Sequence, residues 1–119
     1  MKSETLNKLS KIILIQKRKN KRIVLCHGDF DNFHYGHLKH LEAAKKHGDI
    51  LVVSLTSDKF ITKGFNRPIF SEKQRAEIIS KIDFVDHVHI DNNKTAEKII
   101  KEIKPHFFVK GSDYKKLND

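Results

Sequence analysis

Two histidines three residues apart, with a glycine between them, are the clearest chemical signal in the sequence. His34 and His37 bracket Gly36 in the segment GDFDNFHYGH, which begins at Gly28. Residues at this spacing lie on one face of a helix, and the N-terminus of a helix offers N–H groups and a positive dipole end that suit phosphate. Imidazole donors there would stabilise the charge that develops on a transferred phosphoryl group. Gly36 would let the backbone approach the ligand closely.

Two other interpretations of the histidines stay open. His34, His37 and His40 have a spacing that could bind a metal, with Asp31 nearby, but no cysteine pair or HExxH pattern supports such a site. The histidines could also be surface or core residues without a chemical role. The glycines of the chain form neither a GxGxxG nor a GxxxxGK pattern, which argues against a dinucleotide site and against a P-loop.

The elements that must position this loop alternate between strands and helices. Apolar runs rich in β-branched residues predict strands at 22–26, 50–56, 84–90 and 107–109. Helical spacing of apolar residues predicts helices at 5–19, 36–47 and 95–104, and a capping box at 71–74 opens a fourth. This order predicts an α/β fold, a Rossmann-like parallel sheet with helices on both faces. Ligands of such sheets bind beyond the carboxyl ends of the strands, which is where the histidine loop lies.

Length and composition exclude several classes of protein. The 119 residues, 38% of them hydrophobic, fit one domain. Cys26 is the one cysteine, so no intrachain disulfide forms and a cytoplasmic location is expected. The longest apolar stretches fall far short of the roughly 20 residues that a membrane span needs, and the first residues lack the apolar segment of a secretory signal.

The charge balance favours polyanionic partners. Lys and Arg outnumber Asp and Glu by 24 to 15, and the densest basic run is Lys17–Arg22. Such a surface suits nucleic acid, anionic lipid or phosphorylated small molecules, although a solvated helix end would also attract these cations. A nucleic-acid-binding module therefore stays as an alternative function, but no recognised nucleic-acid motif supports it.

The loop from Gly28 to His37 resembles the GxFDxxHxGH signature of the cytidylyltransferase-like nucleotidyltransferases. The likeness continues in order over most of the chain from Arg22 to Tyr114, through the segments GDILVV at 48–53, SD at 57–58, RP at 67–68, QR at 74–75, VD at 85–86 and VKGSDY at 109–114. Within this family the chain is most similar to the adenylyltransferase half of the bifunctional heptose-phosphate enzymes and to glycerol-3-phosphate cytidylyltransferase. A nucleotidyltransferase domain is thus expected over 22–119, preceded by an amphipathic helix and basic run over 1–21.

The resemblance implies an enzyme that joins a nucleotide to a small phosphorylated acceptor. A sugar or polyol phosphate would attack the α-phosphate of ATP or CTP and release pyrophosphate, with Mg²⁺ as cofactor and no covalent intermediate. The product would be an activated precursor of cell-surface glycans such as lipopolysaccharide or capsule. By motif match, the catalytic residues would be His34, His37, Lys63 and Arg75. The nucleotide-binding residues would be Asp29, Phe30, Asp31, Gly36, Gly111 and Asp113.

Several of these residues also have simpler interpretations. Arg75 could be a cation on a helix surface and Lys63 one of many surface lysines, while Asp58 and Asp113 could serve only in turns or caps. Replacing His34 or His37 by alanine is expected to abolish product formation and leave the fold intact, since neither side chain is needed for apolar packing.

Two departures from the family pattern bear on the activity. Asp29 stands where the family usually has a small hydroxyl residue or cysteine, and the family normally continues into a further strand and an STTxxR-type segment beyond Asp119. We therefore expect either a piece of a longer protein, for which fusion to a second catalytic domain stays open, or a chain whose missing part is supplied otherwise, and we expect the isolated chain to bind nucleotide weakly or to turn over poorly. A catalytically silent domain is the alternative. No membrane partner is expected, and a homodimer stays open because related enzymes are often dimers.

Overall fold

The computed structural model describes residues 4–61, 64 and 66–110, which form four strands and four α-helices in alternation. The helices are α1 (Leu6–Arg18), α2 (Tyr35–Lys45), α3 (Glu72–Ser80) and α4 (Glu97–Ile103), with a 3-10 turn at Asp58–Phe60. The strands are β1 (Ile23–Gly28), β2 (Ile50–Thr56), β3 (His87–Asp91) and β4 (Phe107–Lys110). All adjacent strands run parallel, in the order β3-β2-β1-β4. This arrangement confirms the predicted Rossmann-like sheet.

Each face of the sheet buries its own apolar cluster beneath two helices. On one face, α2 and α3 cover a cluster that includes Cys26, Leu41, Val53 and Ile79. On the other, α1 and α4 cover residues such as Leu9, Leu25, Val52 and Ile99. Buried strands covered on both sides explain why the sequence of β1 and β2 is apolar without alternation. No helix in the described part of the chain is long and apolar enough to cross a membrane.

The third strand begins later than its sequence predicts. Phe84, Val85 and Asp86 form a turn after α3 rather than the start of a strand, and β3 begins at His87. The Asp86 carboxylate accepts hydrogen bonds from the Leu51 N–H and the Lys45 ammonium, each at 2.7 Å. These contacts turn the chain toward the sheet before strand pairing starts, while Val85 stays buried in the core. The predicted strand therefore exists, but the first three residues of the apolar run form a turn instead of pairing with β2.

The basic run begins at the end of α1. Lys17 and Arg18 lie in the last turn of this helix, and the Lys17 ammonium donates to the Lys104 carbonyl at 2.6 Å. Cations at this position complement the negative end of the helix dipole. This part of the run thus has a structural role where α1 packs against α4.

One buried arginine ties together the loops at the carboxyl edge of the sheet. The Arg75 side chain lies in α3 with none of its surface exposed. Its guanidinium donates to the carbonyls of Asp29 at 2.8 Å and Thr56 at 2.6 Å, which follow β1 and end β2. It also donates to the Phe70 carbonyl at 3.0 Å and to the Asp58 carboxylate at 2.7 Å. Arg75 is therefore neither a surface cation nor, in this arrangement, exposed to a ligand.

Replacing Arg75 by Met should lower the free energy of unfolding by about 3 kcal/mol or more, because removing a buried charged partner leaves several buried acceptors unpaired. Arg75→Lys should recover little of this lost stability, because an ammonium lacks the planar guanidinium whose separate N–H groups reach several carbonyls at once. Urea denaturation measures both effects, with Lys73→Met at an exposed position of the same helix as the control. An Arg75→Met protein as stable as this control would contradict the prediction.

Candidate active site

The loop after β1 turns sharply before α2 begins. Phe30 and Asn32 adopt positive φ values of 51° and 55°, a conformation that costs of order 1–3 kcal/mol for residues other than glycine. Phe30 is nevertheless almost fully buried in the core, and the carbonyl of the preceding Asp29 is held by Arg75. Burial and this anchor hold the loop in its strained shape, which delivers His34 to the start of α2.

The two histidines form a reciprocal cap at the N-terminus of α2. The Gly36 N–H donates to Nδ1 of His34 at 3.0 Å, and the His34 N–H donates to Nδ1 of His37 at 3.1 Å. Each Nδ1 acts as an acceptor, so the proton of each neutral ring must sit on Nε2. The helix cap thereby fixes both tautomers and makes both Nε2 atoms hydrogen-bond donors. The Gly36 N–H is already used in this cap.

His37 is packed among aromatic rings rather than displayed on the surface. Its ring centroid lies 5.3 Å from that of Phe33, 5.8 Å from that of Phe30 and 4.0 Å from that of the more exposed His34. Burial, with further repulsion from His34 and His40, lowers the pKa of His37 and favours the neutral ring. The expectation that His37 has no part in packing is therefore wrong, because its ring fills space beside Phe30 and Phe33.

Asp31 holds the segment that precedes α3. Its carboxylate accepts hydrogen bonds from the N–H groups of Ile69 at 2.7 Å and Phe70 at 3.0 Å. It also forms an ion pair with Arg67 at 3.2 Å. Burial alone would raise the pKa of Asp31, but these hydrogen bonds outweigh it and hold the pKa below its ordinary value. With its oxygens committed in this way, Asp31 organises the loop.

Two clefts flank the carboxyl end of β1, and Asp29 lines both. The first cleft, on the side of α2, has a volume of about 390 Å³ and is lined by Asp29, Phe30, Asp31, His37, Ile61, Gly64 and Arg67. The second cleft, on the side of α4, has a volume of about 490 Å³, and its walls include His27, Thr56, Lys94, Ile100, Phe108 and Lys110. Asp29, which directly follows β1, is the described residue that the two clefts share, and we call this position the ridge.

The structure brings together only part of the residue set expected from the motifs. Asp29, Phe30, Asp31 and His37 line the first cleft, and His34 and Gly36 lie beside it at the start of α2. Arg75 lies behind the loops. Lys63, Gly111 and Asp113 fall outside the described residues. Their assigned roles, like those of the other residues, stay predictions.

Residues outside the predicted set of site residues also border the two clefts. Arg67 adds a partly exposed cation to the first, and His27 and Lys94 add polar groups to the second. The sequence did carry one signal for the second cleft: β1 and β2 are otherwise apolar, and each has a polar residue near its end. These residues, His27 and Ser54, are paired in the β1–β2 register. Among the described residues, no group of three metal-ligating side chains is close enough to hold a metal ion.

Lowered pKa values at His27 and His37 predict that the protein loses stability as the pH falls below neutral. Burial is the main cause at both rings; the Asp91 and Asp29 carboxylates partly oppose it at His27. The unfolded rings take up protons near their ordinary pKa of about 6.5, whereas the folded rings do so only at lower pH. The free energy of unfolding therefore falls as pH drops through this window, by at most about 1.4 kcal/mol per pH unit for each ring.

Urea denaturation between pH 7.5 and pH 5 checks this dependence. His37→Asn should flatten it, because the variant removes one of the two rings, while His47→Asn at an exposed position serves as the matched control. Equal free energies of unfolding at both pH values would show that the two rings are not held neutral by the fold.

Comparison with known proteins relates the two-cleft site to a family. The family model for Cytidylyltransferase-like proteins matches residues 25–117. The "Bifunctional protein HldE" of Geobacter metallireducens is 41% identical over 115 residues, 95% of this chain and 24% of that protein. The HldE of Campylobacter jejuni subsp. doylei is 44% identical over 106 residues, 87% of this chain and 23% of that protein. The chain thus spans about a quarter of these relatives.

A solved structure gives the same result. The lipopolysaccharide core biosynthesis protein from Thermoplasma volcanium superposes with a TM-score of 0.68 at 33% identity, covering 74% of this chain and 72% of that one. The resemblance noted in the sequence is confirmed by matches in both sequence and fold. The first strand of the parallel sheet leads into the histidine-capped helix, as the matched motif requires. The chain therefore belongs to the cytidylyltransferase-like family of nucleotidyltransferases.

Proposed function

We propose that the chain transfers a nucleotidyl group from ATP or CTP to a small sugar or polyol phosphate and releases pyrophosphate. The observation that carries this proposal is the pair of fixed Nε2 donors of His34 and His37 at the N-terminus of α2, beside the cleft that His37 and Arg67 line. The names of similar proteins support a place in the synthesis of lipopolysaccharide or a related surface glycan. A cytoplasmic protein with a second catalytic domain fits the bifunctional relatives.

The chemistry needs two anions to be brought together and a leaving group to be stabilised. An acceptor phosphate oxygen would form a new bond to the α-phosphorus as the bond from that phosphorus to the pyrophosphate oxygen breaks. The Nε2–H groups of His34 and His37 would donate to the triphosphate, with the dipole of α2 adding to their effect. Donors whose direction the cap already fixes lose little free energy to reorganisation during the step.

The two clefts provide separate approaches for the two substrates. The triphosphate would lie in the first cleft, beside His37 and Arg67, and the acceptor would enter through the second. The clefts share Asp29, so the attacking and attacked phosphates would meet over the ridge at the end of β1. Placement of two reactants in this way removes much of the entropic cost of a bimolecular reaction.

The family implies a divalent cation, and one side chain here fits it. Mg²⁺ is usually held by one or two carboxylates together with substrate phosphates, so a preformed cluster of three ligands is not required. The Asp31 and Asp58 carboxylates are engaged with the loop and with Arg75. Of the two carboxylates that line the first cleft, Asp29 is thus the one that would hold Mg²⁺ carried by the triphosphate, which would mask phosphate charge during the transfer.

Replacing either histidine of the cap by asparagine should lower kcat at least about 100-fold, as loss of a transition-state donor does. Asn can keep an acceptor near the position of Nδ1 and so preserve the cap, but it lacks the distant Nε2–H. Pyrophosphate release is measured with Mg²⁺ and ATP or CTP, against glycerol 3-phosphate, mannose 1-phosphate and heptose 1-phosphate, in the full-length protein. Urea denaturation confirms that the variants fold.

His47→Asn is the matched control, because His47 is exposed at the turn before β2 and far along the strands from the site. Turnover close to that of the unmodified protein in both His34→Asn and His37→Asn would refute the roles assigned to the Nε2 donors. Failure of the unmodified protein to release pyrophosphate with every pair of substrates would refute the proposed function.

A further inference from the structure

A row of polar side chains crosses the sheet on the face covered by α1 and α4. Lys110 pairs in register with His27, His27 with Ser54, and Ser54 with His89, so the four residues occupy one level on β4, β1, β2 and β3. Nearer the amino ends of β1, β2 and β4 this face is apolar and belongs to the buried core, whereas β3 carries His87 there, beside Glu4. The change in character coincides with the floor of the second cleft, which both His27 and Lys110 line.

The position of Ser54 fixes the tautomer of His27. Ser54 is fully buried, and its hydroxyl lies 2.5 Å from Nδ1 of His27. No other hydrogen-bond acceptor for this hydroxyl occurs among the described residues, and a buried hydroxyl proton requires one. Ser54 therefore donates to Nδ1, which places the ring proton of neutral His27 on Nε2. Burial, only partly opposed by nearby carboxylates, lowers the pKa of His27 and favours this neutral form.

Beside the Asp29 and Glu97 carboxylates, the second cleft offers three kinds of surface to a ligand. His27 supplies a neutral, oriented N–H donor, and the exposed Lys94 and Lys110 supply positive charge. Phe108 and Ile100 supply an apolar wall. A small molecule with an anionic group, hydroxyl oxygens and a carbon skeleton satisfies all three, and this is the chemistry of a sugar phosphate.

We propose that His27 is a specificity-determining residue, whose Nε2–H donates to a hydroxyl or ring oxygen of the sugar-phosphate acceptor in the second cleft. Ser54 acts as its positioning residue. The inference rests on the proposed function and adds to it the group that distinguishes one acceptor from another. Donors held in a fixed direction discriminate strongly, because an analogue that lacks the matching oxygen leaves them unpaired.

The test compares acceptors that differ by one hydroxyl group. The paired substitution His27→Phe with Ser54→Ala keeps an aromatic ring, removes the donor and leaves no buried hydroxyl unpaired. It should raise the KM for the best acceptor of the pyrophosphate-release assay about tenfold, the loss expected for one good hydrogen bond. The KM for the nucleotide should change less than about twofold, because the nucleotide lies in the other cleft.

Monodeoxy analogues of that acceptor locate the contact. One analogue should lose affinity in the unmodified protein but no further affinity in the paired variant, since the interaction is already absent there. His27→Gln, whose amide can place an N–H near the position of Nε2, should recover part of the affinity. His47→Phe is the matched control, because His47 is exposed near the amino end of β2, at the opposite end of the strands from the second cleft.

An unchanged acceptor KM in the paired variant would overturn the inference and leave the proposed function standing. An equal rise in the KM for nucleotide and acceptor would also overturn it, because it would show a general loss of site structure. If the unmodified protein releases no pyrophosphate with any substrate pair, the proposed function fails and the inference fails with it.

Discussion

The candidate site depends on one buried guanidinium. Arg75 donates hydrogen bonds to the carbonyls of Asp29, Thr56 and Phe70, which follow β1, end β2 and precede α3. Unpaired carbonyls in a buried position would cost free energy comparable to a lost hydrogen bond each. The charge itself is balanced by the half-exposed Asp58 carboxylate. Because Asp29 and Thr56 border the clefts, the shape of both clefts depends on this single side chain.

Helices α2 and α3 begin with the same kind of reciprocal side-chain cap, and in α2 the capping residues are also the candidate hydrogen-bond donors of the site. In α3, Ser71 and Gln74 exchange hydrogen bonds with each other's backbone, and the cap has only a structural role. In α2, His34 and His37 make the same reciprocal pattern through Nδ1. An imidazole has a second nitrogen, so satisfying the helix end also sets the direction and protonation of a donor. The structural and chemical demands on these rings are met together.

The sequence predicted the fold because the relevant signals are local. Apolar runs marked β1 and β2, and the spacing of Ser71 and Gln74 marked the start of α3. The burial of Arg75 was not predictable in the same way, since a charged residue at the start of a helix is ordinarily exposed and its acceptors come from three separate segments. The histidine pair was found from its spacing, but its tautomers were not. They follow from a helix cap made by histidines, and sequence rules for helix caps expect Ser, Thr, Asp or Asn at that position. The roles of Lys63, Gly111 and Asp113 rest on motif resemblance alone.

The second cleft was missed for a related reason. Its polar residues are dispersed along the chain and become neighbours only when parallel strands fix the register of Lys110, His27 and Ser54. Within each strand such a residue is a single exception to an apolar run, which local patterns cannot distinguish from a tolerated polar core residue.

The distribution of charge across the ridge fits a reaction between two anions. Among the described residues, Arg67, paired with Asp31, lines the first cleft, Lys94 and Lys110 line the second, and an imidazole with a lowered pKa lines each, His37 in the first and His27 in the second. A carboxylate at Asp29 would repel both phosphates if it stood alone. A divalent cation carried by the triphosphate would reverse the sign of that interaction, because it would be attracted to the side chain and to the phosphates together. The departure of Asp29 from the family pattern is therefore compatible with the transfer chemistry proposed above.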